Sequence, residues 1–131
     1  MKKVILDTNG YTKLLLGEKS VLETLAQAER VFMPTIVLGE LFAGFRGGSK
    51  EAKNKKILEQ FLAKPMVEIV PIGKETAEIF GQIKYHLQKN GTPVPINDIW
   101  IACCAIEVGA VIITFDSHFL KIPQVRVWGK V

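Results

Sequence analysis

This 131-residue chain has no long apolar run, which argues against a membrane-spanning protein. The longest apolar segments reach about ten residues, which is too short for a membrane-spanning helix. Only three apolar residues stand between the basic start of the chain and Asp7, so we expect no secretion signal and no membrane association. Hydrophobic residues make up 48% and charged residues 23%, which excludes disordered and fibrous proteins. We therefore expect one folded domain over residues 1–131.

Cysteine and histidine are also scarce. The two cysteines, Cys103 and Cys104, are adjacent, and ordinary backbone geometry cannot join adjacent cysteines without strain. Neither a histidine nor a second cysteine pair stands at the spacing of a zinc site. The sequence therefore predicts reduced, buried cysteines in a cytoplasmic protein.

Aspartate contributes only three of the thirteen acidic residues. Asp7, Asp98 and Asp116 each adjoin strongly apolar sequence, in VILD, NDIWIACCA and VIITFD. Carboxylates in such surroundings need compensation, which favours a functional role for them. Among the ten glutamates, Glu40 lies between apolar residues in IVLGELFAGF. Glu107 also has apolar neighbours, but helical spacing places it opposite Asp98, so we expect Glu40 to be the fourth acid.

Apolar segments alternate with amphipathic segments along the chain, which predicts alternating strands and helices. We expect strands at 3–6, 31–33, 66–70, 111–114 and 125–127, and helices at 11–16, 20–28, 35–46, 50–63, 74–89 and 97–108. Strands that are apolar on both faces and separated by helices are typical of a covered parallel sheet. The expected fold class is α/β, a three-layer α/β/α sandwich with a mostly parallel sheet of four to five strands.

The aspartates follow or precede predicted strands in a pattern that predicts a metal site. Ligands of open α/β sheets bind beyond the carboxyl ends of the strands, where the strand order reverses. Asp7 follows the first strand and Asp116 follows the fourth, so both face one crevice if those strands are neighbours. Asp98 begins the helix before the fourth strand, where it either joins this crevice or caps the helix.

Four clustered carboxylates need a counter-ion, and oxygen ligands favour Mg²⁺ or Mn²⁺. Such an ion activates water, which predicts phosphodiester hydrolysis.

Four motifs carry a family resemblance: LDTN at Asp7, VLGEL around Glu40, NDIWIA at Asp98 and TFDSHF around Asp116. In order and spacing they resemble the PIN-domain ribonucleases, specifically the VapC-type toxins of toxin–antitoxin pairs. The resemblance spans nearly the whole chain and implies the strand order 3-2-1-4-5. It also implies an RNA substrate, an antitoxin partner of the VapB type and a homodimer.

The resemblance assigns roles to individual residues. It implies that the catalytic and metal-binding acids are Asp7, Glu40, Asp98 and Asp116, and that the supporting polar groups are Thr8, Asn9 and Thr114. Phe115 departs from the pattern, because many relatives carry arginine or another polar residue there. This departure puts substrate specificity, rather than the chemistry, in doubt.

Basic residues are concentrated shortly after Glu40, in a chain whose net charge is +4. These residues are Arg46, Lys50, Lys53, Lys55 and Lys56. They form either an RNA-binding patch that contacts phosphates or a set of solvated charges on a helix. In VapC-type relatives this region commonly contacts the antitoxin, so the two functions are expected to share surface. His118, two residues after Asp116, is either an acid/base group or part of the packing of the following turn.

The sequence therefore predicts a metal-dependent endoribonuclease that acts as the toxin of a type II toxin–antitoxin system. Two alternatives remain open. One is a non-catalytic binding module whose acidic pocket receives basic side chains of a partner. The other is an aspartyl phosphatase or phospho-receiver domain with Asp7 as its nucleophile, although such sites usually carry an acid where this chain has Asn9.

Overall fold

The computed structural model describes residues 2–129, and the remaining residues of the expected domain, Met1, Lys130 and Val131, lie outside the described residues. The strands are β1 (Lys3–Leu6), β2 (Arg30–Pro34), β3 (Val67–Val70), β4 (Val111–Ile113) and β5 (Arg126–Val127). The helices are α1 (Thr8–Leu15), α2 (Lys19–Gln27), α3 (Thr35–Phe45), α4 (Glu51–Leu62), α5 (Lys74–Lys89) and α6 (Ile96–Val108). A short 3-10 helix (Ser117–Lys121) follows β4.

Within the described range, the five strands form one parallel sheet in the order β3-β2-β1-β4-β5. This confirms the expected strand order and the α/β fold class. The chain runs from β1 outward to β2 and β3, and β4 then lies on the opposite side of β1. The strand order therefore reverses between β1 and β4, which is where ligands of such sheets bind.

The centre of the sheet is fully buried, as its continuous apolar strands predict. Val4, Ile5 and Leu6 of β1 have no exposed surface, and neither have Ile112 and Ile113 of β4. Parallel strands with helices on both faces bury both sets of side chains, which is why these strands show no polar alternation. The core around them holds the ends of β1 and β4 in fixed positions.

The edge strand β3 departs from the pattern of strands that are apolar on both faces. Glu68 and Ile69 are both exposed, because β3 pairs only with β2 in the sheet that the structure describes. Glu68 forms an ion pair with Arg30 at the start of β2. No helix between residues 2 and 129 is both long and apolar enough to cross a membrane.

Candidate metal centre

The first acid, Asp7, lies at the reversal point of the sheet. The register of β1 and β4 pairs Leu6 with Ile113, so Asp7 and Thr114 leave the sheet side by side. The hydroxyl of Thr114 donates a hydrogen bond to Oδ2 of Asp7. Oδ1 of Asp7 accepts the backbone N–H of Gly10 at 2.7 Å, which caps α1 and starts this helix three residues earlier than expected. Each carboxylate oxygen of Asp7 is thus held in place by a hydrogen bond.

Gly10 allows α1 to approach β4 closely. A Cβ atom at this position would lie closer to the carbonyl oxygen of Ile113 than real Cβ atoms approach any backbone atom. Only glycine therefore lets the first turn of α1 pack against the end of β4. This close approach brings the capping carboxylate of Asp7 to the exit of the neighbouring strand.

The second acid, Asp116, is linked to the first through Thr114. The backbone N–H of Asp116 donates to Oγ1 of Thr114 at 2.9 Å, while the same hydroxyl donates to Asp7. Oδ1 of Asp116 accepts the backbone N–H of His118 at 2.9 Å and so caps the 3-10 helix. Thr114 therefore orients one acid and anchors the backbone of another.

The third acid, Asp98, comes from the first turn of α6. Pro95 precedes this helix and Asp98 is its third residue, so the alternative in which Asp98 caps the helix is wrong. Oδ2 of Asp98 lies 2.9 Å from Nδ1 of His118. The same ring nitrogen lies 3.0 Å from Oδ1 of Asp116. His118 therefore connects α6 to the segment after β4, and the prediction from sequence missed this connection.

The fourth acid, Glu40, lies at the border of the cluster on α3 and is half-buried. Its Oε1 accepts the hydroxyl of Thr8, and its Oε2 faces the Asn97 amide nitrogen at 3.4 Å. Thr8 directly follows Asp7 in the chain, and Asn97 directly precedes Asp98. Because these neighbours hold it, Glu40 is close enough for its negative charge to raise the pKa of Asp98.

The electrostatics of the cluster favour a bound cation. Burial, and after it the negative charges of Asp98 and Asp116, raise the pKa of Asp7 from 3.8 to about 6. The hydrogen bonds from Thr114 and Gly10 oppose this rise. The pKa of Asp98 is raised by burial, and then by Asp116 and Glu40, while His118 lowers it. A divalent cation relieves this repulsion, and the carboxylate oxygens are ligands suited to a hard ion.

The other predicted residues lie outside this network. The side chain of Asn9 is exposed and makes no hydrogen bond to the acids among residues 2–129. Arg46, Lys50 and Lys53 are exposed where α3 ends and α4 begins. Lys55 forms an ion pair with Glu51 at 3.2 Å.

Phe115 lies at the mouth of the site, between Thr114 and Asp116, and is 36% exposed. Its ring packs edge-to-face against Trp128 with centroids 5.5 Å apart. The Nζ atom of Lys13 lies 5.7 Å from the centre of the Phe115 ring. An aromatic surface and a cation therefore stand beside the acids.

Comparison with known proteins identifies the family. The model of the PIN domain family matches residues 4–125. The chain belongs to the PIN domain family. This PIN domain is 30% identical to ribonuclease VapC1 from Haemophilus influenzae strain R2866 over 127 residues, which is 93% of each chain. The resemblance to VapC-type ribonucleases expected from the motifs is confirmed.

Solved structures give the same result for this PIN domain. It matches the crystal structure of DNA-bound VapBC from Salmonella typhimurium with a TM-score of 0.85 at 28% identity, over 98% of both chains. It matches VapBC-5 from Mycobacterium tuberculosis, described as a member of the VapBC family of toxin–antitoxin systems, with a TM-score of 0.73 at 26% identity. That match covers 97% of this chain and 100% of the other.

Proposed function

We propose that this PIN domain is a divalent-metal-dependent endoribonuclease and the toxin of a type II toxin–antitoxin system. One observation carries the proposal. Asp7, Glu40, Asp98 and Asp116 come from four separate segments and form one connected network where the strand order reverses. The ribonuclease named among the relatives supports RNA as the substrate.

In this proposal Asp7, Asp98 and Asp116 hold Mg²⁺ or Mn²⁺, and Glu40 completes the acidic site at its border. When bound, such an ion lowers the pKa of a coordinated water and stabilises charge on a phosphoryl oxygen. The chain's own contribution is orientation. Thr114 fixes Asp7 and Asp116, whereas Thr8 fixes Glu40 through its hydroxyl.

RNA contacts are assigned to the exposed basic residues and to the aromatic surface. We expect Arg46, Lys50 and Lys53 to contact phosphates and to give a salt-dependent affinity. Phe115, backed by Trp128, offers a face on which an unpaired base stacks. The relatives are solved as VapBC complexes, which supports an antitoxin of the VapB type as the partner. We also propose a homodimer, which rests only on the resemblance to VapC-type toxins.

The structure argues against the aspartyl phosphatase or phospho-receiver alternative. A nucleophilic carboxylate must let a bulky phosphoryl group approach one of its oxygens. Asp7 is only 4% exposed, and each of its oxygens already accepts one hydrogen bond, so the remaining lone pairs suit a small bare ion better than a phosphoryl group.

RNA cleavage by the wild type and by Asp98→Asn, with EDTA and with added Mg²⁺, tests the proposal. Glu78→Gln is the matched control, because Glu78 is an exposed carboxylate on α5. We expect EDTA and Asp98→Asn to abolish cleavage, Mg²⁺ to restore it in the wild type, and Glu78→Gln to cleave normally. Cleavage that survives EDTA or Asp98→Asn contradicts the metal mechanism. A folded chain that binds no divalent metal supports the non-catalytic binding module instead.

A further inference from the structure

A histidine nitrogen lies among the acids of the candidate metal centre. Nδ1 of His118 is 2.9 Å from Oδ2 of Asp98 and 3.0 Å from Oδ1 of Asp116. One ligand atom from each of these three residues lies within 4.8 Å of the others. The sequence predicts ligands that are all oxygen atoms, so this nitrogen changes the chemistry available at the site.

The separations fit a shared metal ion. Neighbouring ligands of an octahedral ion with bonds of about 2.1 Å are about 3.0 Å apart. The distances from Nδ1 to Asp98 and to Asp116 agree with this spacing. They also suit a hydrogen bond from a protonated Nδ1, and a metal ion replaces that proton when imidazole becomes a ligand.

The backbone fixes His118 in this position. Its N–H donates to Oδ1 of Asp116 at 2.9 Å, which holds the first turn of the 3-10 helix beside that acid. Phe119, the next residue, is completely buried and anchors the turn in the core. The ring of His118 is therefore directed back toward Asp98 and Asp116, and reaching them requires no rearrangement of the chain.

Nitrogen and oxygen donors select different ions. Carboxylates bind both Mg²⁺ and Mn²⁺, whereas an imidazole nitrogen adds to the binding of a transition metal such as Mn²⁺ and adds little to the binding of Mg²⁺. We propose that His118 is a ligand of the metal together with Asp98 and Asp116, and that it makes the site prefer Mn²⁺ to Mg²⁺. This inference rests on the metal-dependent activity proposed above and specifies its ion.

Pulsed electron paramagnetic resonance of the Mn²⁺-loaded full chain, prepared without a histidine tag, tests the ligand directly. A coordinated imidazole nitrogen gives a ¹⁴N coupling to Mn²⁺. The chain has two histidines, and His86 is exposed on α5, so His86→Gln is the matched control for His118→Gln. We expect the coupling in the wild type and in His86→Gln, and its loss in His118→Gln.

Calorimetric titration with each metal provides the second measurement. We expect His118→Gln to weaken Mn²⁺ binding by about tenfold or more and Mg²⁺ binding by much less, because the lost nitrogen donor favours transition metals.

A wild-type Mn²⁺ complex without nitrogen coupling refutes the ligand role of His118 and leaves the nuclease proposal intact. Equal weakening of both metals also refutes it. A wild-type chain that binds neither ion contradicts both proposals. If His118→Gln does not fold, the wild-type and His86→Gln spectra decide the question by themselves.

Discussion

Replacing Asp7 by asparagine is expected to stabilise the metal-free protein while it removes the proposed activity. Burial raises the pKa of Asp7 from 3.8 to about 6, so the folded state holds this proton more tightly than the unfolded chain does. Stability is therefore lost as the pH rises from about 4 to about 6, and the loss is complete above that window. At 1.36 kcal/mol for each pKa unit, the loss is about 3 kcal/mol.

Asparagine does not recover all of this free energy. Its amide oxygen still accepts the backbone N–H of Gly10, but its NH₂ group faces the hydroxyl that donates to Asp7 in the wild type. The displaced hydrogen bond of Thr114 costs about 1 kcal/mol. The net gain above pH 7 is therefore about 2 kcal/mol, which for a chain of this size raises Tm by about 6–8 °C.

Thermal unfolding in EDTA at pH 8 and at pH 4.5 measures this effect, with Glu78→Gln as the control. At pH 4.5 the charge of Asp7 destabilises the wild type by only about 1 kcal/mol. The hydrogen bond displaced in Asp7→Asn costs about the same, so the two proteins are expected to be equally stable at this pH. Mg²⁺ at about 100 times its Kd stabilises the wild type by about 2.7 kcal/mol at pH 8, and stabilises the variant less. The order of stability seen in EDTA is thus expected to disappear or reverse with Mg²⁺.

Two results would refute this reasoning. The first is an Asp7→Asn variant no more stable than the wild type at pH 8 in EDTA, because burial of the charge would then carry no penalty. The second is a gain in stability of equal size at both pH values, because it would not arise from titration of Asp7.

Three further substitutions test the network and its surroundings. Thr114→Val removes the hydroxyl that Asp7 and the backbone of Asp116 share, so urea unfolding is expected to show a loss of about 1–3 kcal/mol. Gly10→Ala places a Cβ atom against the carbonyl oxygen of Ile113, and is expected to cost about 1–3 kcal/mol in the same assay and to lower cleavage as Asp7 moves. Phe115→Ala removes a stacking surface worth about 1–3 kcal/mol per base, so KM for single-stranded RNA is expected to rise about tenfold while kcat stays unchanged. Unaltered stability for the first two variants, or an unaltered KM for the third, would contradict these roles.

Much of the fold was predictable because its signals are local. The apolar run before Asp7 predicts the central strand β1, and the amphipathic pattern from Lys74 to Lys89 predicts α5 with the bounds that the structure has. The continuous apolar character of the central strands predicts a parallel sheet, since helices cover both faces of such sheets, whereas antiparallel sheets commonly leave one face in solvent. The edge strand β3 fits this rule poorly because its neighbour on one side is missing from the described sheet.

The candidate site was predictable in part. Asp7 and Asp116 follow strands, and parallel strands end at one edge of a sheet, so the sequence indicates their common location. The sequence offers His118 as an acid/base group near Asp116, but the contact of its ring with Asp98 and that of Asn97 with Glu40 were not predictable. Their positions depend on how α6 packs beside the segment after β4, and no spacing within either segment reports that distance.

The sequence by itself determined the elements, their alternation and the acids at the strand ends, because hydrophobic periodicity and residue type act over a few neighbouring residues. The tertiary structure decided which side chains share hydrogen bonds and how far burial raises the pKa of Asp7. It also decided that a ring nitrogen of His118 lies beside the carboxylate oxygens of Asp98 and Asp116. These properties arise from segments that are distant in the chain, and they exist only once packing fixes α6, β1 and β4 against one another.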